Sequence, residues 1–472
     1  MRAQIVIYYE VTAVHVQELT LRIGEPGDEP LSSHTVSRLT TTFNGLDAVS
    51  GRTASVVMSP TTSKVVVNGL SFADLPFAIS SNAADTSALN ARTLLYKAHF
   101  DVRGNREISR YDRQFGKPAA EFEHDLRLLA REGSALYLRL FASRGPDTQV
   151  SSRLPRLLRQ EARSHGRPPI LQVVDDQYDE HSMLWSIIYD LPLGGDTSKY
   201  ELCPSVKLFG PEGQQQPVPA YCPHEDDHHD KGNVVCPFGF WGLSCLIEQQ
   251  PDVGRDVTSI VRRRTPQLVV GMAADSSLDQ RLAKRHLKRL EESPAHSTLA
   301  RLPTDTEEDL ARALDPDDTD IVYFYTHCGY EDLGSGRADR FLTLGDMAVY
   351  AQNVNLWATL WNNLDHWSQR PPLVVLNGCH TTESTSGTLN NFVTAFTRWA
   401  GASGVLGSEI TLEQGLAGHI LEQVLTALTR GCTVGEALHE ARWQLLSRGN
   451  LMGLAYTPYC PANLMFCHVP YG

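Results

Sequence analysis

The chain has 472 residues, 42% apolar, 21% charged and 8% aromatic, with 35 Gly and 26 Pro spread along it. This excludes a disordered or collagen-like chain and leaves room for two or three domains with sizeable cores. Lys and Arg number 42 against 55 Asp and Glu, and the formal charge of −13 argues against a surface dedicated to nucleic acid or acidic lipid. Nine cysteines, an odd count at low density, fit a reducing compartment in which thiols serve packing, metal binding or catalysis.

No run approaches the ~18 apolar residues of a membrane span, and Glu10 interrupts the first apolar stretch too early for a signal peptide. The expectation is a cytoplasmic protein that opens on a β-strand. Residues 1–90 are rich in Thr, Ser and Val, with strand-like runs at 4–9 and 64–67 and turn signals at 24–28 and 68–69. They predict a small β-rich module, by its position regulatory or partner-sensing. Helical spacing then appears at 121–129 and 135–141, followed by short apolar runs at 170–175 and 183–190. Residues 203–245 read mostly as loop.

Beyond this loop the alternation becomes regular. Strands are predicted at 267–272, 321–325, 372–376 and 404–407, and helices at 279–292, 305–314, 346–367, 390–400, 412–430 and 434–447. The fold class is therefore α/β, a mostly parallel sheet with helices on both faces. A single helix is expected between the strands at 321–325 and 372–376.

In such sheets the chemistry sits just beyond the carboxyl ends of the strands. The strand IVYFY runs into Thr326-His327-Cys328-Gly329, and LVVL into Asn377-Gly378-Cys379-His380. A thiol of pKa about 8.5 is only a few per cent thiolate at neutral pH, and an adjacent imidazole raises that fraction. His327 and Cys379 are thus a candidate dyad, with backbone amides around Cys328, Gly329 and Cys379 as oxyanion donors.

These motifs resemble a known family. VYFYTHCG (322–329) and LVVLNGCHTT (373–382) look like the two catalytic motifs of the CHAT family of caspase-like cysteine peptidases. The order, His some fifty residues ahead of Cys, is that of caspases. The segments 392–409, 431–447 (G-x-x-V-x-E-A-L-x-x-A-R) and 450–456 extend the resemblance downstream, and 183–190 and 236–248 extend it upstream, to about Asn90. It implies a caspase-like α/β fold with a degenerate first half (91–265) beside a catalytic second half (266–472). His327 would be general base and acid, and Cys379 the nucleophile. It also implies a protein substrate, an activating protein partner, no cofactor, and a setting in bacterial defence or programmed cell death with gasdermin-like substrates. One departure is visible: Cys328 stands between His327 and Gly329, where the family places Gly directly after the His.

Other chemistries were weighed on the same residues. Cys203, Cys222, His224 and Cys236, with His228, His229 and Cys245 nearby, are a zinc candidate of irregular spacing. No phosphate-binding glycine loop, zinc-protease helix or serine elbow is present. A catalytically inactive caspase-like scaffold is the alternative, supported by Cys328 alone. Arg262–Arg264 read as a solvated linker between the halves. Glu331, Asp332, Glu383 and Glu409 are acids of the kind that would favour a basic residue before the scissile bond.

Overall fold

The fold is that of a computed structural model. It describes every residue except 1, 22–30, 41, 43–44, 60–63, 70–74, 79–80, 105, 142–149, 176–182, 229–230, 250, 252–255, 264, 293–296, 315–318, 335–336, 362–363, 379–391 and 469–472. The chain divides into two compact units: Met1–Gln249 with Arg442–Ala455, and Gln250–Ala441 with Tyr456–Gly472.

In the first unit, β1 (Arg2–Tyr9), β2 (Thr12–Leu21) and β3 (Leu31–Arg38) form an antiparallel sheet in chain order. There follow β4 (Ala54–Ser59), β5 (Lys64–Gly69), β6 (Leu75–Ala78), helix α1 (Ser81–His99) and the hairpin β7 (Phe100–Arg103) and β8 (Arg106–Ser109). Helices α2 (Ala119–Phe141) and α3 (Val150–His165) lead to β9 (Ile170–Asp175). Short elements then alternate: β10 (Glu201–Leu202), α4 (Pro204–Phe209), α5 (Glu225–His228), β11 (Val234–Val235), α6 (Trp241–Ser244) and β12 (Leu246–Glu248).

The second sheet of this unit has the order β12-β9-β4-β5-β6. This corrects the expected leader ending near residue 90, because β4 pairs in parallel with β9, more than a hundred residues on. The first sheet is tied to β9 as well. The buried side-chain amide of Gln172 accepts from the Ala13 N–H at 2.8 Å and donates to its carbonyl at 3.0 Å, like a ladder rung made by a side chain. Arg52 meets Glu248 through two parallel hydrogen bonds of 3.0 and 2.8 Å, both side chains fully buried. The deeper core is aromatic. Apolar residues of α2 at three- and four-residue spacing end in Tyr137 and Phe141, which pack on Trp241, and Trp241 stacks on Trp185 at 6.2 Å and 10°.

The second unit starts with β13 (Ile260–Arg263) and continues as β14 (Leu268–Ala274), α7 (Gln280–Glu291), β15 (Ser297–Arg301), α8 (Glu307–Ala313) and β16 (Ile321–Tyr325). Next come β17 (His327–Gly334), β18 (Arg337–Leu344), β19 (Met347–Tyr350), α9 (Ala351–Thr359) and β20 (Leu373–Asn377). The chain closes with α10 (Phe392–Thr394), which runs on as a π-turn over Ala395–Trp399, then β21 (Gly404–Ser408), α11 (Gln414–Thr429), α12 (Val434–Leu446), β22 (Tyr456–Tyr459) and β23 (Met465–His468).

Six strands form the central sheet in the order β15-β14-β16-β20-β21-β22, all parallel except β22. The expected α/β class is observed. Helices cover both faces: Val322 and Phe324 of β16 share a core with Leu310 of α8 and Val354 and Trp357 of α9, while Tyr323 and Tyr325 point the other way, onto His286 of α7. Arg262 and Arg263 are not linker but part of β13, paired with β23, and Arg264 lies outside the described residues. Among the described residues no helix is long and apolar enough to cross a membrane.

Candidate active site

β16 and β20 lie side by side in parallel, with Tyr325 opposite Asn377. His327 and Cys379 are each two residues beyond that rung, so the register carries both chain segments off the same edge of the sheet. Cys379, with His380 and Glu383, falls outside the described residues, which resume at Phe392.

His327 is exposed and opens β17 opposite Thr343. The expected single helix between the two motif strands is corrected here. A three-stranded antiparallel sheet, β17-β18-β19, precedes α9, so the predicted helix at 346–367 begins as strand β19, is α-helical only over Ala351–Thr359, and is followed by a 3-10 turn at Asp365–Ser368. Thr326, buried, pins the start of this sheet by donating its hydroxyl to the Thr343 carbonyl.

Cys328 sits in extended backbone opposite Leu342, and Gly329 opposite Phe341. A Cβ on Gly329 would come within 2.1 Å of the Phe341 ring, so the glycine is demanded by cross-strand packing. Cys328, in a regular strand, adopts no conformation that needs glycine, since the non-glycine residues with positive φ lie elsewhere. The expected pair of oxyanion amides must be revised. Consecutive residues of an antiparallel strand point their N–H groups to opposite sides, and among the described strands β17 pairs with β18 alone. Of the Cys328 and Gly329 amides, one is therefore committed to β18 and one faces outward.

The end of β20 is held by a buried polar chain that the sequence did not announce. The Asn377 side chain donates to the Tyr323 hydroxyl at 3.0 Å and accepts from the Tyr456 hydroxyl at 2.5 Å. The Tyr323 hydroxyl is 3.1 Å from His286 Nε2, whose Nδ1 is 2.8 Å from Glu422 of α11. Burial disfavours the Glu422 charge, but hydrogen bonds from His286 and His419 and the charge of Arg289 outweigh it and hold the carboxyl down at about 2. Burial likewise pushes the Tyr323 phenol well above its ordinary range, keeping it neutral as a hydrogen-bonding group. One residue on, the Gly378 carbonyl accepts from Ser408 Oγ at 2.6 Å. Asp275, at the end of β14, accepts from the Ser277 N–H at 2.9 Å and the Gly345 N–H at 3.0 Å, tying the β18–β19 turn to the sheet edge. Asp275 and Asn377 were legible in principle, being polar residues directly after apolar strand runs. Tyr323, His286 and Glu422 were not, because their roles depend on three elements meeting.

Of the candidate pocket acids, Glu331 is exposed and accepts from the Tyr350 hydroxyl at 2.7 Å. Asp332 lies in β17. Glu409 is fully buried and accepts from Thr457 Oγ1 at 2.6 Å, so it is corrected from a pocket acid to an internal acceptor.

The zinc candidate is also altered. The structure brings together Cys203, Cys222, His228 and Cys236, all buried, with their ligand atoms within 4.8 Å of one another. His224 is not among them. Its ring is partly exposed and sits 4.0 Å from the Asp227 carboxylate. Cys245 is buried apart from the group, and His229 lies outside the described residues.

Residues 246–459 match the family description "CHAT domain". The match covers less than half of the chain. It begins well after residue 90, so only three residues of the 236–248 segment and none of 183–190 fall within the matched region. A probable protease of Vitiosangium sp. (strain GDMCC 1.1324) is 29% identical over 386 residues, 78% of this chain. The chain spans about half, 47%, of that relative's length. Among solved structures, the Saccharomyces cerevisiae separase–securin complex is similar at TM-score 0.43 and 12% identity, over 90% of this chain and 31% of that one. The complex of the Porphyromonas gingivalis RgpB pro- and mature domains gives 0.36 and 11%, over 73% and 77%.

Within the matched stretch, helix α12 has structural work. Thr433 and Glu436 form a capping box, the Glu436 N–H donating to Thr433 Oγ1 (3.3 Å) and the Thr433 N–H to the Glu436 carboxylate (2.9 Å). Gly431, at φ 89°, ends α11 in the left-handed conformation that glycine takes without strain. Arg442, buried, donates to the carbonyls of Gly453 (3.2 Å) and Gly242 (3.1 Å). These motif residues build the scaffold of the matched stretch.

Proposed function

We propose that the protein is a cysteine endopeptidase that cleaves a protein partner with His327 and Cys379. The observation that carries this reading is the register of β16 and β20, which puts both residues two positions past one rung, on a stretch that matches the CHAT domain. The relationship to a probable protease supports it.

In this mechanism the Cys379 thiolate attacks the scissile carbonyl and forms a C–S bond. The outward-facing amide of Cys328 or Gly329 donates to the developing oxyanion. As the C–N bond breaks, His327 gives its proton to the leaving amine, and the amino-terminal fragment remains as a thioester. Water, deprotonated by His327, then releases this fragment as a carboxylate and restores the thiol. No cofactor takes part. The scaffold reading loses its support, because Cys328 fits an ordinary strand.

The family's setting in bacterial defence and programmed cell death makes a gasdermin-like protein the first substrate to try, with an activating partner present. Incubation of such substrates with the wild-type chain and with Cys379→Ala and His327→Ala should give cleavage in the first alone. Cleavage that persists unchanged in Cys379→Ala overturns the assignment.

A further inference from the structure

Residues 191–245 of the first unit hold only two-residue strands, helices of four to six residues and 3-10 turns, yet their cysteines are fully buried or nearly so. The strands explain how. β10 and β11 pair in parallel with Leu202 opposite Val235, and the Cys203 N–H continues the ladder to the Val235 carbonyl at 2.9 Å. Cys203 and Cys236 therefore follow the same rung and emerge side by side. Helix α5 brings in His228, its last residue, and the loop before α5 brings in Cys222.

Two of the three resulting distances match those of ligands around one ion, and the third, Cys203 to His228, is shorter. Cys203 Sγ lies 3.6 Å from Cys222 Sγ, and His228 Nε2 lies 2.8 and 3.5 Å from these two sulfurs. Around a tetrahedral Zn²⁺ with Zn–S of about 2.3 Å and Zn–N of about 2.0 Å, ligand atoms are about 3.5–3.8 Å apart. One ring nitrogen aimed at two sulfurs has at most one proton to share, so direct hydrogen bonding serves only one of them. Two backbone amides point at sulfur as well, each two residues past its cysteine: Ser205 N–H to Cys203 Sγ at 3.3 Å and His224 N–H to Cys222 Sγ at 3.4 Å. Such donors favour thiolate over thiol.

We propose that Cys203, Cys222, His228 and Cys236 bind a single Zn²⁺. Four protein ligands complete a tetrahedron and leave no position for water or substrate, so the ion is structural. It cross-links a segment with little regular hydrogen bonding, the kind of loop in which metal binding supplies folding free energy. A set within 4.8 Å suits one ion rather than an iron–sulfur cluster, and three sulfurs with one imidazole select zinc over calcium or magnesium.

The test uses the full chain, purified without chelator from zinc-supplemented cells and assayed for bound metal. We expect about one zinc per chain, released when the thiols are blocked by a mercurial. His224→Ala and Cys245→Ser should keep it, whereas Cys236→Ser and His228→Ala should weaken zinc binding at least about a hundredfold. If those two variants fail to fold, the wild-type chain decides: stripped of metal under reducing conditions, it should take up one Co²⁺ with thiolate charge-transfer and tetrahedral d–d absorption. Wild-type chain that carries no zinc and takes up no Co²⁺ when reduced overturns the proposal. So does zinc lost from His224→Ala but retained by His228→Ala.

Discussion

At the residue scale, the site depends on groups that touch no substrate. Asn377 accepts one phenol and donates to another, and its removal would leave Tyr323 and Tyr456 without that buried partner. Asn377→Ala should lower the cleavage rate about tenfold or more by loosening the chain two residues before Cys379, with a smaller effect on KM; full activity in a folded variant would contradict the positioning role. Gly329→Ala places a Cβ 2.1 Å from the Phe341 ring and should cost about 1–3 kcal/mol, read as a lower denaturant midpoint. Glu422 gives a pH signature. Its carboxyl is held at about 2 in the folded state, below the 4.5 of an unperturbed Glu, so its contribution is fully present above about pH 4.5 and is lost as the pH falls towards 2. The stability gap between wild type and Glu422→Gln should thus shrink as the pH falls below about 4.5; a gap that widens between pH 4.5 and 2 contradicts this role.

At the scale of elements, β14, β16, β20 and β21 of the central sheet were legible from sequence because each is a largely buried apolar run bounded by turns, whereas the edge strand β15, Ser-Thr-Leu-Ala-Arg, is partly exposed and was missed. The helices α7, α8, α11 and α12 were legible by their periodicity and caps, Asp279 for α7 and Thr306 for α8. What stayed hidden was short or long-range. The strands β17 and β18 carry no long apolar run and were not assigned, and β19 was absorbed into the helix predicted at 346–367, while the first sheet seemed a separate module because Gln172 and Glu248 look like ordinary surface residues in one dimension. Both are buried, and their partners, Ala13 and Arg52, are more than a hundred positions away. Arg52→Ala should therefore destabilise the first unit by about 3–5 kcal/mol, since it strands a buried carboxylate. A loss below 1 kcal/mol in chemical denaturation would contradict the buried pair. The zinc candidate was half legible: the cysteines were identified, but choosing His228 over His224 required knowing that α5 ends at His228.

At the scale of the whole molecule, the first unit is completed late. Arg442 and Trp443 donate to the carbonyls of Gly242 and Leu243, about 200 residues earlier in the chain. A fragment ending at Gln249 should therefore lack fixed near-ultraviolet circular dichroism from its tryptophans, and a native-like signal from it would show that Arg442–Ala455 is dispensable. The nucleophilic role proposed for Cys379 is tested by a thiol-directed acylating probe followed by mass-spectrometric mapping. The described cysteines are buried or half-buried, with Cys328, Cys432 and Cys467 the more accessible of them. The account predicts fastest labelling at Cys379, slowed strongly by His327→Ala and absent in Cys379→Ala. Labelling of Cys379 no faster than that of Cys328, Cys432 and Cys467, and indifferent to His327, would contradict it.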